Sequence, residues 1–132
     1  MPVEIGNVYK VKKWLLLVIE EPLMYNGKEH VRLCLIHRND TAANTNDLRL
    51  HHRDYPGYEG YTVMGSHKIS LPTALLEKVE FKLTPNHTKH VFMYMLADHT
   101  FNPIRMSIRK LLRDRLREDF YPTPNFEVQK CL

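Results

Sequence analysis

Trp14-Leu15-Leu16-Leu17-Val18-Ile19, followed after Pro22 by Asn26-Gly27 and then by the run from His30 to His37, is the stretch that decides the fold class. The first six residues are apolar without interruption, which suits a central strand covered on both faces. Pro22 ends regular pairing, because it has no N–H to give to a ladder. Asn26-Gly27 is a strong hairpin signal, since both central positions of a type I′ turn need positive φ. It joins an arm ending at Tyr25 to a strand over residues 30–37. There Val31, Leu33 and Leu35 alternate with Arg32, Cys34 and Ile36.

Upstream, Gly6 leads into Asn7-Val8-Tyr9-Lys10-Val11, an alternating strand. Downstream, residues 38–47 read as a polar loop, 48–50 as a short strand and 51–60 as a loop punctuated by Pro56, Gly57 and Gly60. Residues 61–64 and 68–71 read as two strands around Gly65-Ser66, a second hairpin. Residues 72–78 suggest a short helix and 79–83 a strand closing the sheet. Thr84-Pro85 pairs a cap with a helix-starting proline, so 86–97 reads as helical, although 91–96 suits a strand equally. The expected fold class is α+β: a small antiparallel SH3-like sheet or barrel followed by C-terminal helices. Residues 1–132 are expected to form a single domain, with 1–83 mostly strands, 84–120 helical and 121–132 an extended tail.

Hydrophobic residues at 43% and charged residues at 26% exclude a disordered or fibrous chain. The apolar runs 14–19 and 91–97 are too short to span a bilayer. The first thirteen residues contain no apolar signal core. Cys34 and Cys131 make no disulfide framework and read as reduced thiols, which points to the cytoplasm. The net charge of +4 suits a nucleic acid or an acidic protein partner, and with such short apolar runs no membrane partner is expected.

That charge concentrates in the last helix. Asn102 suits its cap and Pro103 its first turn. At 100° per residue Ile104, Ile108, Leu111 and Leu112 form an apolar stripe with Leu116 at its edge. Arg105, Arg109, Arg113 and Arg117 repeat at four-residue spacing with Lys110 beside them, a row expected to face away from that stripe. Like charges at this spacing repel and have little acid nearby, so the row reads as a binding surface for RNA or DNA, or for an acidic protein. The alternative is a solvated face. Arg115 falls within the apolar stripe, with Asp119 one turn on.

Two further groups stand out. Tyr55 and Tyr58, with Arg53 upstream and Tyr61 downstream, form an aromatic and basic loop that can stack bases and hold phosphates, or can simply pack. His51-His52 and the His87/His90 pair supply no third converging ligand, so no metal and no cofactor is expected.

The order Gly6-Asn7-Val8-Tyr9, Leu15 to Ile19, Val31 to Ile36, Tyr61 to Met64, Ile69-Ser70-Leu71 and Leu75 to Val79 resembles the MazF/PemK toxin family, small SH3-like barrels that cut RNA. Here Lys12-Lys13 stands where that family has its long first loop, and the family's strand-end Thr/Ser falls on Thr41. The resemblance implies a metal-independent endoribonuclease or a non-catalytic relative, and it leaves a homodimer open. In the first case His37 would transfer the proton, Arg38 would hold the phosphate, and Thr41 would complete the site beside Asp40. In the second, Asp40 and Thr41 only cap a turn. The expected function is a small basic nucleic-acid-associated protein. Its rival is a non-catalytic interaction or inhibitor module whose basic helix docks an acidic protein partner.

Overall fold

The computed structural model describes residues 3–38, 47–96 and 103–121; for residues 66, 103–109 and 112 it describes the backbone. The described strands are β1 (Asn7–Val11), β2 (Trp14–Val18), β3 (Leu23–Tyr25), β4 (Lys28–His37), β5 (Leu48–Arg49), β6 (Thr62–Pro72) and β7 (Val79–Lys82). They form one antiparallel sheet in the order β5-β6-β4-β2-β1-β7, with β3 added beside the start of β4. The sheet curls into a half-barrel completed by helices, an α+β architecture.

β2 is central and buried along its whole length because the sheet has two cores. Trp14, Leu16 and Val18 point into one, with Val31, Leu33 and Leu35 of β4. Leu15, Leu17 and Ile19 point into the other, with Cys34 and Ile36. Side chains alternate across a strand, so a run apolar at every position needs cover on both sides. Helix α2 (Pro103–Phe120) brings Leu116 to the first core. Helix α1 (Pro85–His90) and the turn after it bring Val91 and Met95 to the second, beside Leu50 and Tyr55. The turn at 26–27 is as expected, with φ of 49° at Asn26 and 78° at Gly27, and it closes β3 onto β4 in the register Tyr25↔Lys28.

Three local expectations are corrected, and the open choice at residues 91–96 is settled as helix. Gly65-Ser66 is no hairpin: β6 runs through it, and both flanks pair with β4. The partners step from Cys34↔Lys68 to Leu35↔Met64, so residues 65–67 bulge out of the ladder. Gly65 is there for space, since a Cβ would lie 3.2 Å from the Met95 carbonyl oxygen. Residues 72–78 hold only one 3₁₀ turn, Thr73–Leu75. Residues 91–95 are helical, widening to an i→i+5 bond from Leu96 N–H to Val91 O at 3.1 Å. In α2, Leu116 is 3% exposed whereas Leu111, placed on the same apolar stripe, is 51% exposed. None of the described helices is long and apolar enough to cross a membrane.

Candidate nucleic-acid interface

Four separated segments converge on one cleft of about 200 Å³. Lys10 is the single exposed position of β1, so its ammonium stands on the open side of the strand. A two-residue turn with Lys12 at φ 56° then reverses the chain onto β2 and places Lys13 at the rim. Its Nζ lies 5.4 Å from the Trp14 ring centroid, a cation–π approach. The end of β4 supplies His37 and Arg38. The loop before β6 supplies Tyr58 and Tyr61, packed edge to face with centroids 5.6 Å apart.

The C-terminal turns of α2 buttress this cleft from behind. Trp14 Nε1 donates to the Asp119 carboxylate and Lys12 Nζ to the Asp119 carbonyl. Asp119, one turn after Arg115, thus holds the tryptophan and the turn. Lys12 also lies 5.3 Å from the Phe120 ring centroid.

His37 sits 6.5 Å from Trp14, ring to ring, half-buried, and its Nδ1 is buried without a hydrogen-bond partner among the described residues. Burial first, and the Arg115 guanidinium second, hold its pKa below 6.5, so the imidazole is neutral at pH 7. Tyr58 donates its hydroxyl to Glu80. Burial and that carboxylate push the phenol up to about 12, so it stays protonated and oriented. Cations for phosphates and rings for bases therefore face one space. Transphosphorylation of RNA needs a base and an acid in addition, and the described lining carries one histidine with its Nδ1 turned inward.

The other expected site residues are dispersed. Thr41 and Asp40 lie outside the described residues, as does Cys131. Tyr55 is 3% exposed: its hydroxyl accepts the Thr84 N–H at 2.9 Å, bonds His87 Nδ1 at 2.8 Å, and its ring packs on Phe81. It is a core residue tying the loop to the start of α1, so it leaves the binding set. Arg53 is exposed and does not line the cleft. Lys110, Arg113 and Arg117 are exposed on α2; the side chains of Arg105 and Arg109 are outside the described set. Cys34 is buried, with its thiol pushed up to about 12 by desolvation, hence unreactive. Among the described residues no three His, Cys, Asp or Glu side chains converge as metal ligands.

The sequence reading missed Lys10, Lys13, Trp14 and Tyr61 as members of one site. The signal was there in the single exposed cation of an otherwise apolar strand and in the charged Lys12-Lys13 turn, but only pairing brings them to β4. No protein-family model matches the sequence, and no curated protein matches it either.

Proposed function

We propose that this chain binds single-stranded nucleic acid, RNA foremost, through the cleft between the β1–β2 turn, the end of β4 and the Tyr58–Tyr61 loop. The observation that carries this reading is the convergence of three cations, Lys10, Lys13 and Arg38, with the rings of Tyr58 and Tyr61, above the buried Trp14. Cations neutralise phosphates and aromatic faces stack bases whatever their sequence, each stacked base contributing about 1–3 kcal/mol. The curled antiparallel sheet supports the SH3-like reading. The one histidine of the described cleft lining, half-buried, favours binding over cleavage.

The test is fluorescence anisotropy with a labelled single-stranded oligoribonucleotide across a salt series. Binding should weaken with salt, and charge reversal of Lys10, Lys13 and Arg38 together should flatten the slope of log affinity against log salt by about 2. Parental binding that ignores salt, or survives the triple reversal unchanged, overturns the reading. A ligand that proves to be one acidic protein, with no RNA bound at low salt, replaces it with the docking-module alternative.

A further inference from the structure

A second cavity lies between β6 and α2 and shares no residue with the cleft. It measures about 360 Å³, within the range of roughly 300–1,000 Å³ common for small-molecule sites. Arg113 and Arg117 of α2 line it, whereas Lys68, in register with Cys34, lines it by its backbone and carries its ammonium on the other face of the sheet. The two arginines stand one helical turn apart, on the same side as the buried Leu116, so they turn toward the sheet and not away from it. No ion pair joins Lys68, Arg113 or Arg117 to a described carboxylate. Among the described residues, two guanidiniums therefore stand together without an ion-paired carboxylate. Between them the floor is apolar, made by Leu116 and the partly buried Ile69. Tyr121 lies at the wall, fixed by a 2.7 Å hydrogen bond from its hydroxyl to the Ser70 carbonyl.

We propose that this wedge is a binding site for a small organic phosphate of mononucleotide size, independent of the cleft. Two guanidiniums one helical turn apart fit a phosphate, because the planar arginine fork pairs with its oxygens two at a time. The cavity exceeds what a bare phosphate fills, and the Leu116–Ile69 floor with the Tyr121 ring offers a planar or apolar body its own surface. A polymer strand suits it less, since the Tyr121–Ser70 bond ties helix to sheet at the wall.

Isothermal titration of the full chain with adenosine 5′-monophosphate, adenosine and inorganic phosphate tests this. The monophosphate should bind saturably, and adenosine and phosphate alone each about tenfold more weakly or worse, since each lacks one half of the contact. Arg113→Gln with Arg117→Gln should weaken the monophosphate by about tenfold or more while circular dichroism stays unchanged. Lys68→Gln, whose side chain leaves the other face of the sheet, should keep the parental affinity. Reversal of Lys13 and Arg38 in the cleft should leave monophosphate affinity as it was. The proposal is overturned if the monophosphate does not bind at millimolar concentration, if inorganic phosphate binds as tightly, or if the double arginine variant keeps the parental affinity.

Discussion

The cleft at the β1–β2 turn gathers three cations and the wedge under α2 two arginines, and they are built by opposite means. The cleft is a property of the sheet: Lys10, Lys13, His37 and Arg38 sit on or beside strands whose registers, Val11↔Trp14 and Leu15↔Ile36, are fixed by hydrogen bonds. The wedge is a property of docking: its arginines reach β6 because α2 seats Leu116 in the core and Tyr121 on Ser70. A ladder holds a surface for as long as the domain is folded. A docked helix holds one only while its few anchors hold, which makes the wedge the more easily separated of the two.

The sharpest way to break that contrast is to truncate a leucine in each region. Leu16→Ala, in the doubly covered strand and fully buried, should cost about 3–5 kcal/mol and lower the melting temperature for the whole chain, cleft and wedge together. Leu116→Ala should cost less, near 2 kcal/mol, because its pocket is open toward the wedge and can relax. Thermal denaturation with RNA and monophosphate titrations on the same samples checks both: Leu116→Ala should lose the wedge ligand first. A smaller effect sharpens the sheet side alone. Gly27→Val places a β-branched residue at φ 78° and should cost about 1–2 kcal/mol by chemical denaturation, although its side chain would meet nothing within 4 Å. An unchanged midpoint would show that the turn does not constrain the hairpin.

The smallest effect is electrostatic. His37 in the folded chain titrates below its ordinary 6.5, so the unfolded chain binds more protons as pH drops. Stability from this residue is complete above pH 6.5 and is lost as pH falls through 6.5 toward the folded value. His37→Asn should make the stability profile flatter than the parent's over that window, measured as denaturation midpoints between pH 7.5 and 5. Parallel profiles would place His37 in solvent.

Much of the sheet was legible because its signals are local. The 14–19 run announces a two-faced strand, and Asn26-Gly27 announces its turn before any contact is known. Gly65 misled because its reason lies thirty residues away at Met95: a glycine needed for close approach looks, in sequence, like a glycine needed for a turn. The helix was legible as a helix, but not its seating. Leu111 and Leu116 are both leucines on an amphipathic pattern, and which one is buried depends on where the sheet ends beneath α2. The tyrosines divide likewise, Tyr55 turning into the core and Tyr58 to the cleft, since three-residue spacing in a loop fixes no direction. The cleft itself needed the strand order, because its cations and tyrosines come from four segments that only pairing makes neighbours.

Trp14 is the only tryptophan in the chain and lines the cleft beneath Lys13, so its fluorescence reports directly on the central claim. Titrating single-stranded oligoribonucleotide into the protein at low salt should change Trp14 emission saturably. The response should persist when Arg113 and Arg117 are replaced by Gln and vanish when Lys10, Lys13 and Arg38 are reversed. Emission that stays constant while anisotropy registers bound RNA would place the nucleic acid elsewhere on the molecule and contradict the account.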